Sequence, residues 1–306
     1  MARPTLICLG TGTEANGSMK RDLPTSFHFS SDKGSILIEP TSSLRTILSG
    51  NLNFPNEMGL FHGEPRLFTS SIKNPAEMLA LIHCLLYFSA QQKTLTVFGP
   101  VGLEDSCCKV LSSLGIAQSP YWKFFEMEAN LTLAINEKLS FTAIEIQQNS
   151  FNFDLGLRIE LTYTPSVDPE RLSHYGITGA DIGRVIAGEV IRGIDLSMVA
   201  RRHLLSPTCL SYLPARPTPR SEPLAFPQGG TLLARIPYLD EHLDLARSQG
   251  MLTATEAGQA AALNRTRTVI PVARSSRAWK EVWMRRELEQ FDITTSIMKL
   301  GDVHHL

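Results

Sequence analysis

The sequence predicts an α/β protein of the layered kind: two mixed sheets packed face to face, helices on the outside, and one arm-like insertion. Strand, turn and helix alternate through residue 115 and again from Thr231 to Met298, the rhythm of sheets covered by helices. Between these segments, Phe124-Phe125, Leu131–Ile135, Phe141–Ile146 and Leu157–Leu161 are rich in β-formers and read as consecutive antiparallel strands. Residues 162–200 then change character, with Pro165, Pro169, five glycines and weak periodicity. They read as an arm inserted into a single domain of 306 residues.

Taken in order, Leu6–Leu9 is an apolar strand leaving through Gly10-Thr11-Gly12-Thr13. That turn is a strand exit and not a nucleotide loop, because neither G-x-G-x-x-G nor G-K-[ST] is present. Ser26–Phe29 and Ser35–Ile38 alternate apolar residues around Ser31-Asp32-Lys33-Gly34, the pattern of a hairpin. A short helix is expected at Leu44–Leu48, stopped at Gly50-Asn51. Arg66–Ser71 reads as a strand entering a polar turn, and Pro75 occupies the first helical position ahead of the apolar Met78–Phe88. Thr94–Phe98 is a β-branched strand followed by a helix ending near Gly115. Pro169–Tyr175 is a short helix within the arm. The six prolines of Ser206–Pro227 predict a loop. A strand (Thr231–Ile236), two helices (Leu239–Gln249, Thr253–Leu263), a strand (Thr268–Ala273), a helix (Trp279–Gln290) and a last strand (Ile293–Met298) complete the chain.

Composition excludes several function classes. Hydrophobic residues at 43% and charged residues at 19% suit a globular core. A formal net charge of −1 argues against a general nucleic-acid or membrane-surface binder. Cys8, Cys84, Cys107, Cys108 and Cys209 show no C-x-x-C spacing and read as reduced thiols of a cytoplasmic protein. The start lacks the apolar run of a signal peptide, and Met78–Phe88 is too short to span a bilayer.

Several stretches together resemble ribonuclease Z, the tRNA 3′-processing branch of the metallo-β-lactamase superfamily. They are the opening LICLGTG, the strand and Gly-Pro turn LTVFGPVG at Leu95–Gly102, LGLRIE at Leu155–Glu160, the arm-like Asp168–Glu189, and LDEHLDLARSQGMLTATEA at Leu239–Ala257. The resemblance runs nearly end to end and implies the αββα metallo-β-lactamase-type sandwich. It also implies a homodimer paired through the helices near the first metal motif, Met78–Phe88 among them.

The resemblance further implies where metal ligands would fall, and these positions are degenerate. The H-x-H-x-D-H motif reads Ser71, Lys73, Pro75, Ala76; the middle histidine falls at Gln148, the bridging aspartate at Pro214, and the last histidine near Ala273. The supporting histidine and glutamate fall at Ala234 and Arg235, and the histidine after Gly250 is Met251. Proline and alanine cannot ligate a metal, so no metal cofactor is expected, and the chemistry of a metal-activated water is not encoded here.

Cations stand on or beside the same positions: Lys73, Arg216, Arg235 and Arg274. With Ser71 and Gln148 they are the candidate ligand-binding residues, and clustered guanidinium and ammonium groups suit a small anion. Glu77, Glu145 and Asp240 are the protein acids placed to pair with them instead. Three functions remain open. The first is a pseudoenzyme that binds a small anionic ligand or a protein partner. The second is a metal-free enzyme reusing the pocket, with Ser71 and Lys73 as nucleophile and base. The third is RNA binding without cleavage, since Arg265–Arg286 holds seven Arg/Lys against one acid, interleaved with Trp279 and Trp283. The favoured alternative for that stretch is an amphipathic helix with its tryptophans in the core, and ITGADIGRV lacks the Gly-Pro tip of the tRNA-gripping arm.

Overall fold

A computed structural model describes residues 4–10, 26–40, 64–73, 75–149, 152–162, 167–200, 208–272, 278–299 and 301–306. The first half runs β1 (Thr5–Gly10), β2 (Ser26–Ser31), β3 (Gly34–Ile38), β4 (Arg66–Phe68), α1 (Pro75–Ala90), β5 (Leu95–Pro100), α2 (Leu103–Ser113) and β6 (Trp122–Met127). The second runs β7 (Thr132–Asn136), β8 (Leu139–Glu145), β9 (Leu155–Leu161), α3 (Pro169–His174), α4 (Ala180–Ile186), α5 (Leu196–Val199), β10 (Thr208–Leu213), α6 (Glu222–Ala225) and β11 (Thr231–Arg235). It continues with α7 (Leu243–Ser248), α8 (Ala254–Leu263), β12 (Thr268–Val272), α9 (Ala278–Glu289), β13 (Thr294–Thr295) and β14 (Val303–His305). The helix expected at Leu44–Leu48 lies outside the described residues.

Two seven-stranded sheets result, ordered β14-β1-β2-β3-β4-β5-β6 and β13-β12-β11-β10-β9-β8-β7. In each, one side is antiparallel and the other parallel: pairing switches at β3–β4 in the first sheet and at β10–β11 in the second. The inner strands of both sheets bury both faces, which is why they read as nearly unbroken apolar runs, while the edge strands β6, β7 and β14 stay partly exposed. In β1 the alternation sends Leu6 and Cys8 into the layer between the sheets and Ile7 and Leu9 under the helices. Phe27, Phe29, Ile36, Ile38 and Phe68 meet Phe141, Leu157, Ile159 and Leu210 in that central layer. Leu81, Leu85 and Phe88 of α1 and Leu103, Cys107 and Leu111 of α2 cover the first sheet. Ala254, Ala257 and Ala261 of α8 and Leu288 of α9 cover the second. The αββα sandwich is therefore built by the strand alternation itself.

Four sequence expectations change. First, β6 is not an antiparallel partner of β7. It pairs parallel to β5 at the edge of the first sheet, and the chain crosses to the second sheet through Asn130, whose φ of 64° turns it. Second, the proline-rich segment holds a central strand, because Thr208–Leu213 lies between Pro207 and Pro214 and keeps every backbone N–H for the ladders with β9 and β11. Third, the strand expected at Ile293–Met298 is not the last: Val303–His305 forms β14, which closes the first sheet against β1, with His304 half-buried and His305 exposed. Fourth, Trp283 is 46% exposed and stacks under Arg286, whose Cζ lies 5.3 Å from its ring centre, rather than entering the core.

The inserted segment 167–200 has its own small core of Leu172, Ile177, Val185, Ile191 and Val199. It closes on itself where the Asp168 N–H donates to the Val199 carbonyl at 2.7 Å and Val167 bridges Ala200.

Candidate functional site

The carboxyl ends of the parallel strands gather at one end of the sandwich, the place where open α/β sheets hold their ligands. β3 delivers Glu39, β4 delivers Thr69–Lys73, and β10 ends in Leu213 ahead of Arg216. β11 delivers Arg235. The segment before β9, which is antiparallel to β10, brings Phe153 and Asp154 to the same end.

The turn after β4 stitches the two sheets together. The Asp154 and Leu155 N–H groups donate to the Ser70 carbonyl at 2.8 and 3.1 Å. The Ser71 hydroxyl donates to the Asn152 carbonyl at 2.5 Å and accepts from the Lys73 backbone N–H at 3.2 Å. Lys73 turns its ammonium away from that hydroxyl to Asp154 at 3.1 Å. The Ser71–Lys73 nucleophile and base pair is therefore not assembled: the hydroxyl is committed to a carbonyl, and the amine faces a carboxylate.

Arg216 reaches the Met251 carbonyl at 3.1 Å and the Glu256 carboxylate. Glu256 is a hub. It also binds Arg247 at 3.2 Å, and it accepts from the Thr253 N–H while the Thr253 hydroxyl accepts from its own N–H, a complete capping box for α8. Gly250, at φ 67°, lets this turn pass: a Cβ there would sit 2.4 Å from the Gln148 carbonyl oxygen. Gln148 itself is exposed. The structure thus divides the candidate residues among different partners, with the β4 turn joined to the Arg235 group through Ser70, whose N–H donates to Glu39 at 3.2 Å, and through Asp154. Ser71 and Lys73 share the β4 turn, Arg216 belongs to the α8 cap with Gln148 beside it, and Arg235 lies in a third group. Arg274 lies outside the described residues.

That third group was not legible as a unit. Glu39 is 2% exposed and Glu77 5%. Tyr212 is buried with them, and the Arg235 guanidinium bears on all three electrostatically. Arg235 also lies over the Phe153 ring, with Cζ 5.1 Å from its centre. Burial pushes the Glu39 carboxyl up from 4.5 to about 7, against the Ser70 and Tyr212 groups and Arg235, which pull it down. Burial likewise raises Glu77 well above its ordinary value, with Glu39 and Asp154 adding like-charge repulsion and Arg235 opposing it. Tyr212 is raised by burial and by the two glutamates. Glu39 holds a left-handed φ of 63°, fixed by its N–H on the Phe68 carbonyl and by the Ser26 hydroxyl on its own carbonyl. The sequence signal was a single acid ending the apolar run Gly34–Ile38, followed at once by Pro40.

No family model matches the sequence, and no curated protein matches it. Solved structures do. The metallo-β-lactamase fold protein YhfI from Bacillus subtilis superposes with TM-score 0.62 at 13% identity, over 99% of this chain and 100% of its own. Human tRNase Z, short form, gives TM-score 0.61 at 12% identity over 98% of both chains. Zn(2+)-bound PqqB from Methylobacterium extorquens gives TM-score 0.59 at 12% identity, over 99% of this chain and 100% of its own. The chain has the metallo-β-lactamase fold, with ribonuclease Z-type proteins among its structural neighbours.

The dinuclear metal centre that the resemblance implies does not fit these residues. Among the described residues no group of three or more His, Cys, Asp or Glu side chains is arranged to hold a metal ion. The Ser71 hydroxyl and the Lys73 ammonium are engaged as above, and Pro75 opens α1.

Proposed function

We propose that this chain is a ribonuclease Z-like pseudoenzyme that works by binding rather than as a metal-dependent phosphodiesterase. The observation that carries this reading is the content of the strand-end pocket: where imidazoles and carboxylates would have to converge on metal, side chains pair with one another. Lys73 meets Asp154 and Arg216 meets Glu256, while Glu39 and Glu77 lie buried within the field of Arg235. A small anion at Lys73 or Arg216 would have to displace a carboxylate already there, which counts against the anionic ligand at those two positions. The proposed setting is cytoplasmic, which suits the thiols of Cys107, Cys108 and Cys209. Among the described residues no helix is long and apolar enough to cross a membrane.

The test is direct. Purified protein, supplied with zinc or manganese, is assayed on a precursor tRNA and on a small phosphodiester. No turnover above the buffer rate is expected, and turnover that falls on changing a pocket residue overturns the proposal. Titration with sulfate, phosphate and nucleotides by calorimetry is expected to show no binding tighter than millimolar, and a tighter anion would return the anionic ligand to first place.

A metal-free enzyme is the second reading, and Glu39 favours it. A carboxyl brought to about 7 by burial, on a strained backbone and beside a phenol and a guanidinium, has the proton affinity of a general acid or base at neutral pH.

A further inference from the structure

We propose that the outer edge of β6 is an interaction surface for a second copy of this chain, the two β6 strands pairing antiparallel about a two-fold axis so that the first sheets of both copies join. This surface stands apart from the strand-end pocket. β6 is the outermost strand of the first sheet. Among the described residues the other outer strands are blunted: β13 has two residues, β14 has three, and β7 slips its register between Ala134 and Asn136. β6 runs unbroken beside β5 from Leu95↔Trp122 to Pro100↔Met127, without proline or bulge. A long, even edge of that kind templates another strand unless charged side chains guard it. Both charges of β6 are turned back onto their own chain. Lys123 pairs with Glu64 at 3.2 Å, and the Glu126 carboxylate accepts from the Glu104 N–H at the start of α2, also at 3.2 Å. Phe125 is left 49% exposed at the rim, stacked on the buried Phe98 with ring centres 5.5 Å apart.

The backbone fixes the register. The Leu95 N–H donates to the Tyr121 carbonyl at 2.8 Å. Residues alternate along a parallel ladder, so Lys123, Phe125 and Met127 commit their backbone groups to β5, and Phe124 and Glu126 turn theirs outward. With the axis at Phe125, Phe124 exchanges both its bonds with the second copy's Glu126, and the reciprocal pair does the same. Phe125 then meets its own copy at a position where opposed side chains come closest, and Lys123 faces the second copy's Met127. No like charges are opposed, and the aromatic pair on the axis is favourable. This self-complementarity selects a second copy over an unrelated strand. A six-residue strand offers less than the roughly 1,200 Å² of stable complexes, so the pairing is expected to form only well above micromolar concentration, separately from the α1 face.

Sedimentation velocity of the full-length protein, from micromolar to millimolar concentration, is the test. The mean mass is expected to rise by up to about twofold over its micromolar value, and to do so equally in Leu79→Glu, whose substitution lies on α1. Phe125→Glu sets two carboxylates against each other on the axis and is expected to abolish the rise, as is Phe125→Lys with two ammonium groups. An equimolar mixture of these two variants is expected to restore it, because the pairing brings the two substituted positions together. If the Phe125 variants do not fold, Glu126→Pro decides: it removes an outward N–H without touching the β5 ladder, and it too should hold the mass constant. A constant mass in the wild type overturns the proposal and leaves the edge to a strand of another protein. A rise that survives Glu126→Pro, or a mixture that stays apart, overturns it as well.

Discussion

Two single positions carry the sharpest consequences. For Glu39 the folded pKa, about 7, lies above the unfolded 4.5. The folded chain therefore holds a proton that the unfolded chain has released between those values. The stability contributed by that proton is complete below pH 4.5 and is lost as pH rises through 7, a swing of about 3 kcal/mol. Glu39→Gln is expected to flatten the fall in urea stability between pH 5 and pH 8; an unchanged slope would mean the carboxyl titrates normally. Gly250 combines a left-handed φ of 67° with a Gln148 carbonyl 2.4 Å from where a Cβ would lie. Gly250→Ala should cost at least about 2 kcal/mol, read from the denaturation midpoint, because the obstacle is backbone and cannot swing aside.

At the scale of elements, helix α8 is held at its start by Thr253 and Glu256, and the same Glu256 pairs with Arg216 and Arg247. Thr253→Ala removes one cap bond and should cost about 1 kcal/mol. Glu256→Ala should cost more, about 3 kcal/mol, since it also leaves the half-buried Arg216 without its carboxylate; equal losses in the two variants would show that the ion pair contributes nothing. Helix α1 buries Leu81, Leu85 and Phe88 on the sheet and turns Leu79 and His83 outward, with Leu86 and Tyr87 half-buried at the margin. That outward face is the one through which the homodimer implied by the resemblance would pair. Light scattering at micromolar concentration is expected to give twice the 33.8 kDa chain mass, and Leu79→Glu to give the monomer; a wild-type monomer would rule the pairing out.

For the molecule as a whole, the central layer between the sheets is common to both halves, whereas residues 167–200 keep a core of their own. Replacing that segment by a short flexible linker should leave the urea midpoint of the sandwich unchanged. A loss of cooperativity would show that the arm contributes to the main core. The fold was legible because short unbroken apolar runs bounded by turn residues mark strands buried on both faces. Leu6–Leu9 and Ile36–Ile38 displayed this plainly. Where a run was shorter still or interrupted, legibility failed. β13 has two residues, and β14 was hidden in a polar terminus. β10 was masked by the prolines on either side of it. Trp283 was misplaced for a related reason: its helix carries apolar residues on more than one face, and pattern alone does not say which face the sheet will take.

The sequence by itself determined the layered α/β architecture and the strand–turn–helix junction at Leu67–Leu81, with Ser71, Lys73, Pro75 and Ala76 as the residues of its turn and helix start. These are local facts, written in periodicity and residue type. Only the tertiary structure decided which charges meet. Lys73 and Asp154 lie 81 positions apart, Arg216 and Glu256 40 apart, and Arg235 acts on the Glu39 carboxyl across two different sheets. Electrostatic partnership falls off over a few ångströms, and the sequence carries no measure of distance between residues in different sheets. Four cations that looked like an empty anion site in one dimension have, for the three within the described residues, different surroundings in three: Lys73 pairs with Asp154, Arg216 with Glu256, and Arg235 lies over Phe153.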